Sequence, residues 1–387
     1  MGVPAVTVAL TGDLMLDHSI VRDDSAGAGV SPSAVPSGTA AVWTLFASTD
    51  LVMANLECPL TARGAPADKH IAFRTDPALA RDLSAAGVDV VTLANNHMAD
   101  CGLDGMFDTL EALAAAGVAA VGAGRDLATA LAPAILTASG LRVAFVGVAS
   151  TLPVGSGAAP DRPGIAPVRV TTSYVVDAVA LEETPGIAPV VETRAWPGDV
   201  EAVTRAVTAA KRAADVCIVG IHWGVPNGWV AQVQDPIAQY QRPVARALIE
   251  AGADAVVGHH PHVLHGIEVI NGRPIFYSLG NFLFHTLHVG AQPVLRRIDP
   301  MYSWRSLRSP VNQDSAVAVI SFEAGRPSAV ELIPVIVNAK GEPELAGPRD
   351  AARILASLTD MSAPLGARID IQGARGRVAL APVGAQR

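Results

Sequence analysis

Five short polar clusters mark this chain, each closing an apolar run. Asp13 and Asp17 follow the run 6–10, and Asn55 and Glu57 follow 51–54. Asn96 and His97 follow 88–93, His222 closes 215–221, and His260 with His262 follows 253–257. Carboxylate, carboxamide and imidazole groups gathered from several strand ends make a ligand set for a divalent cation. The spacing is too wide for a zinc finger, and the set contains no thiolate, which argues against a structural zinc. Singly, each group has an ordinary explanation. Asp13 after Gly12 suits a turn, Asn96 can cap a helix, and a lone histidine is more often hydrogen-bonded than metal-bound. Their recurrence at five strand ends points to a shared metal site.

The elements that must position these groups alternate as strand and helix over the first half. The runs 6–10, 51–54, 88–93, 118–121 and 142–148 read as strands. Segments 77–86 and 103–116 read as helices, stopped by Gly87 and Gly117. Further on, 199–214 and 236–251 read as helices, each followed by a strand. Asn271-Gly272 is a strong hairpin signal, and 315–322 with 329–337 reads as an antiparallel pair. The Pro/Gly/Ser-rich stretches 23–38, 151–167 and 182–198 read as loops. This rhythm predicts a layered α/β fold, in which ligands gather beyond the carboxyl ends of the strands. One catalytic domain is expected over 1–340, with an inserted loop at about 285–312. Residues 341–387 form a C-terminal extension packed on that domain or trailing from it, partly mobile from Ala363.

Composition narrows the function. Half of the 387 residues are apolar and 17% are charged, so the chain can bury a large core. The net charge of −8 argues against nucleic-acid binding, which relies on basic surface. Three cysteines far apart exclude a disulfide framework. No apolar run approaches the ~20 residues of a membrane span. The N-terminus shows no basic region of a secretory signal, so a cytoplasmic location is expected.

The motifs TGDLMLD (11–17), ANLECPLT (54–61), LANNHMADCGLDG (93–105), IHWG (221–224) and GHHPHVLHGIEVINGRPIFYSLGNFLF (258–284) resemble the bacterial capsule-synthesis family of CapA-like, poly-γ-glutamate proteins. That family is similar to the calcineurin-like metallophosphoesterases. The resemblance implies a four-layer αββα sandwich with a metal centre at the strand C-terminal ends. By motif, Asp13 matches the first aspartate and Glu57 the bridging carboxylate. Asn96 matches a metal-binding asparagine, and His97 an acid beside the metal. His222, His260 and His262 match the later histidines, with His259 ranked behind them. Asp100, three residues after His97, is the natural partner to hold that imidazole in one tautomer.

One departure matters. Metallophosphoesterases carry a histidine where this chain has Met15, and a thioether is a poor ligand for a hard cation. The expectation is one ion held by Glu57, Asn96, His222 and His260, Ca²⁺ or Mn²⁺ ahead of Zn²⁺, with no organic cofactor. Asp13 and His262 are then free to act with His97 and Asp100 as acid–base pairs. Soluble relatives that the chain resembles epimerise a residue in a lasso-peptide precursor. The implied activity is therefore metal-dependent inversion of an amino-acid Cα in a ribosomal precursor peptide. The alternatives are a metal-dependent phosphoesterase, or a component of capsule poly-γ-glutamate synthesis or export. Trp223 could wall the substrate pocket, and Arg296, Arg297 and Arg305 could bind a substrate carboxylate. Cys101 and His285 are lesser candidates near the same site.

Overall fold

The computed structural model describes residues 4–17, 37–67, 72–184, 186–187, 189–224, 237–285 and 310–380. The fold is mixed α/β. Among the described residues its larger sheet has ten strands. The first strand, Ala5–Met15, lies near the middle, parallel to Leu51–Leu56 and antiparallel to Asp314–Glu323. Leu51–Leu56 pairs with Val90–Thr92, and that strand with Ala119–Val121, all parallel. A six-stranded sheet centres on Val216–His222, with Leu141–Ala149 and Ala255–His259 parallel to it on either side.

Three apolar clusters explain why these segments are strands. Val8, Leu10 and Met53 of the larger sheet pack against Phe145, Ile218 and Val257 of the smaller one. The other face of the larger sheet packs Val91 and Leu56 against helix residues such as Leu83, Met106 and Leu113. The other face of the smaller sheet packs Val146 and Val219 against Val203, Val207 and Leu248. Val216–His222 is buried at every position because both its faces are covered, which is why its sequence is a continuous apolar run.

The helices end where the chain dictates. Gly102–Ala116 closes on Gly117 at φ +78, a left-handed cap that favours glycine. Pro197–Ala213 starts with proline in its first turn and ends with Lys211 and Arg212, which suit the negative end of the helix dipole. The Asn271-Gly272 turn joins Ile267–Ile270 to Arg273–Phe276 with both turn residues at positive φ, as the sequence predicts.

Two expectations need correction, and one open alternative, at the C-terminus, is resolved. Within 182–198, read as a loop, Val190–Ala195 is a strand paired antiparallel with Val170–Val175. Its alternation is there, but flanking prolines and a solvent-facing side hide it. The segment expected to be helical over 77–86 begins as a 3-10 turn, Pro77–Leu79, capped by Asp76. The C-terminal extension is built into the fold. Helix Pro348–Ser362 buries Ile354, Leu355 and Leu358, and Ile369–Gln372 with Arg375–Val378 extends the ten-stranded sheet. Among the described residues no helix is long and apolar enough to cross a membrane.

Candidate metal centre

Parallel register brings the polar strand ends together. Asp13 pairs in register with Asn55 on one side and Asn281 on the other. In the smaller sheet His222 stands in register with His259 and Ala149. The two sheets are joined at this end. The His260 N–H donates to Asp13 Oδ2 at 3.2 Å, and His259 Nε2 lies 3.1 Å from the Thr11 carbonyl. Asn55 Nδ2 lies 2.8 Å from Asp13 Oδ1 and 3.2 Å from His222 Nδ1. Close approach fixes Gly12, since a Cβ there would sit 1.9 Å from the Gly280 carbonyl oxygen.

The four expected metal ligands converge on one point. His222 Nε2 is 2.8 Å from Asn96 Oδ1, 3.2 Å from His260 Nδ1 and 3.3 Å from Glu57 Oε1. Ligand atoms of Glu57, His222 and His260 all lie within 4.8 Å of one another. Both Glu57 carboxylate oxygens are buried without a hydrogen bond. A buried carboxylate in that condition is costly unless a cation answers it, so the donor set fits a divalent ion. Strain accompanies the fit. His260 and His262 have φ of +97 and +56, a region that non-glycine residues enter at a cost of about 1–3 kcal/mol each.

Asp13 and His262 depart from the expectation that they are released from the metal. Asp13, Glu57 and His262 form a second group whose ligand atoms also lie within 4.8 Å, so Glu57 belongs to both. Met15 is buried in the apolar cluster on the helix-covered face of the larger sheet. Its substitution for a ligand therefore leaves Asp13 and His262 within reach of a cation. Nor do those two form a simple dyad. His262 Nδ1 is 3.5 Å from Asp13 Oδ2 but 2.8 Å from Asn281 Oδ1.

His97 meets its expected partner. Its Nδ1 lies 2.8 Å from Asp100 Oδ2, which also accepts the Phe73 N–H at 2.7 Å. The Phe73 ring packs on the imidazole at 4.3 Å between centroids. Sequence reasoning missed Phe73 and Asn281. Phe73 follows a stretch without periodicity, and Asn281 lies within the last long motif, 258–284, whose histidines carried the reading.

Electrostatics favour ligand-competent forms of Glu57, His222 and His260 but the protonated form of Asp13. Burial, reinforced by the Glu57 charge, raises the Asp13 carboxyl well above its usual range. Burial pushes Glu57 upward too, but His262 and His222 outweigh it and hold the group below the ordinary carboxylate range. Burial lowers His222 and His260, with Glu57 opposing in both. His259 is pushed down to about 3 by burial and by His222. Neutral imidazoles beside an ionised carboxylate are what a divalent ion requires.

A pH prediction follows from the histidines. In the unfolded chain each takes up a proton near pH ~6.5, whereas in the fold it resists until lower pH. The unfolded state binds more protons between those values, so stability present at neutral pH is lost as pH falls from about 6.5 toward 3. Each such histidine adds up to about 1.4 kcal/mol per pH unit. The unfolding midpoint of ion-free protein should fall steadily from pH 7 to 4, and His259→Gln should flatten the slope. Equal slopes in the two proteins would count against this assignment.

The remaining candidates divide. Trp223 is corrected: its ring is fully buried, stacks on Tyr277 at 5.4 Å and donates to the Tyr277 carbonyl at 2.9 Å. A ring so enclosed braces the smaller sheet and offers no wall to a substrate. Arg296, Arg297 and Arg305 lie outside the described residues. Cys101 is buried, with its sulfur 3.5 Å from Arg74 Nε and from the Phe73 carbonyl. His285 is buried and accepts the Asp17 N–H at 3.2 Å, so it belongs to the wall near the first strand.

The fold and the site define a class: an α/β protein with a candidate metal centre where two sheets present their strand ends. The family model "Bacterial capsule synthesis protein PGA_cap" matches residues 7–286, and the chain belongs to that family. A Sinorhizobium fredii relative, "Uncharacterized protein y4sH", is 29% identical across 98% of this chain and 94% of its own. "PGA biosynthesis protein CapA" of Bacillus subtilis is 33% identical, covering 70% of this chain and 64% of that one. "Capsule biosynthesis protein CapA" of Bacillus anthracis is 30% identical, covering 61% and 51% respectively.

Proposed function

We propose that this chain is a metal-dependent enzyme that moves protons on an amino-acid chain, with His97 and His262 as its acid–base groups. The observation that carries this reading is the arrangement around Glu57. His222 and His260 converge there from the smaller sheet, while His97 and His262 stand nearby on different strand ends, each hydrogen-bonded through Nδ1. Each ring thereby turns its Nε2 to other work. The packing of helices, two facing sheets and further helices supports the calcineurin-like four-layer reading of the fold.

Glu57, Asn96, His222 and His260 would hold the ion, and a mixed set of two oxygen and two imidazole donors suits Mn²⁺ better than Ca²⁺, which prefers oxygen throughout. A bound ion supplies positive charge that stabilises an oxyanion on the substrate. The residues do the rest. Asp100 orients His97, so that His97 Nε2 can take or give a proton. His262 Nε2 can do the same from the other sheet.

The relatives' names, PGA biosynthesis and capsule biosynthesis, support a role for this chain in capsule poly-γ-glutamate synthesis. That reading has the wider support. A second reading, inversion of a peptide Cα in a ribosomal lasso-peptide precursor, is favoured by the two imidazoles. Inversion needs a base on one face of the carbon, an acid on the other and stabilised charge on the neighbouring carbonyl. Incubation in D₂O with Mn²⁺ separates the readings. Solvent deuterium at Cα of an inverted residue supports the epimerase. Metal-dependent conversion of γ-glutamyl oligomers without Cα exchange supports the polymer role. Neither outcome, with rapid hydrolysis of an aryl phosphate, would mean abandoning both for a phosphoesterase.

A further inference from the structure

His262 has two acceptors near its Nδ1, and the difference between them is informative. Asp13 Oδ2 stands 3.5 Å away, while Asn281 Oδ1 stands at 2.8 Å. An asparagine can turn either its oxygen or its nitrogen toward a ring, so its other contacts decide. Asn281 Nδ2 faces the His262 carbonyl at 3.4 Å and the Asn312 carbonyl at 3.3 Å. Turning the amide over would place its oxygen against two carbonyl oxygens and its N–H₂ toward the ring. The observed orientation is therefore the one that the surroundings enforce. Asn312 adds a second hold, since its Nδ2 donates to the His262 carbonyl at 2.7 Å. Both asparagines are fully buried, so water does not compete for these bonds.

We infer that Asn281 is a positioning residue that locks His262 in the Nδ1–H tautomer, and that Asn312 holds the backbone of His262 in its left-handed turn. The lock leaves the Nε2 lone pair aimed toward Glu57, whose Oε1 is 3.9 Å away. A partner that fixes the tautomer of a ligand or base is needed because the wrong tautomer presents an N–H where a lone pair is required. Asp13, the expected partner of His262, is thereby left to the Asn55 amide and the His260 N–H. This inference rests on the reading that His262 works at the metal centre, whatever reaction that centre performs.

The test is nitrogen-15 NMR of the histidine rings in ion-free protein at pH 8, with His262 assigned by the signal lost in His262→Gln. Wild type should show His262 protonated on Nδ1. Asn281→Leu, which removes the acceptor at similar volume, should move His262 to the Nε2–H form or to a mixture. Calorimetry with Mn²⁺ alone should show affinity within about threefold of wild type, since Glu57, His222 and His260 are untouched. The ring tautomer is itself the readout that a merely structural role of Asn281 would not move. If Asn281→Leu fails to fold, Asn281→Ser, too short to reach the ring, should show the same tautomer change. An unchanged tautomer in a folded variant would overturn the inference and assign the lock to Asp13. No substrate enters either measurement, so an error about the reaction would leave these outcomes intact.

Discussion

Glu57→Gln will remove divalent-ion binding while leaving the fold in place. Glu57 belongs to both candidate ligand groups, and both of its oxygens are buried without a hydrogen bond. Glutamine keeps the shape but exchanges a charged oxygen for an amide that cannot replace it as an anionic ligand. The affinity for Mn²⁺ should fall by about 10³-fold or more, since charge count sets affinity for hard cations. Wild type at about 1,000 times its dissociation constant should gain about 4 kcal/mol of stability from the ion, and the variant should gain almost none. Without the ion the variant loses the attraction of His222 and His262 for the Glu57 carboxylate, so it should unfold at the same temperature as wild type or a somewhat lower one. Thermal unfolding of both proteins with and without Mn²⁺ reads all four values. Equal stabilisation of the two by Mn²⁺ would place the ion elsewhere.

His97→Asn separates chemistry from ion binding. His97 is held by Asp100 and packed under Phe73, and it is absent from both ligand groups. Turnover of the substrate found by the D₂O experiment should fall by about 10²- to 10⁴-fold, the scale for losing a general acid or base. Affinity for Mn²⁺ should stay within about threefold of wild type. Asp100→Asn should lose activity in the same direction, because an amide can turn a donor toward Nδ1 and favour the wrong tautomer. Loss of turnover and affinity together in His97→Asn would make that residue a ligand or a structural support.

Much of this site was legible because parallel strands deliver their ends to one place. Asp13, Glu57, Asn96, His222 and His260 each close an apolar run, so a chain read as α/β already gathers them. Roles were harder to read than positions. Met15 suggested that Asp13 and His262 lose contact with the metal, but sequence spacing does not show that Glu57 lies within reach of both groups. Asn281 is hard to find from sequence because it lies outside the expected metal-ligand clusters, and its partner Asn312 is 31 residues away. Trp223 was misread for a related reason. A tryptophan beside a glycine suggests an exposed loop, whereas here its ring closes the core and leaves no space at Gly258, where a Cβ would lie 2.3 Å from Trp223 Nε1. The strand Val190–Ala195 was hidden by neighbouring prolines and glycine, which outweigh a short alternation in any local reading.

The most direct test of the account is anomalous diffraction from crystals of the full chain grown with Mn²⁺. One strong peak should lie within bonding distance of Glu57, His222 and His260, with the Asn96 oxygen as a further ligand. A second peak among Asp13, Glu57 and His262 would show that both groups take an ion even with Met15 in place of a ligand. Anomalous density far from Glu57, or none in crystals soaked at saturating Mn²⁺, would contradict the metal centre itself.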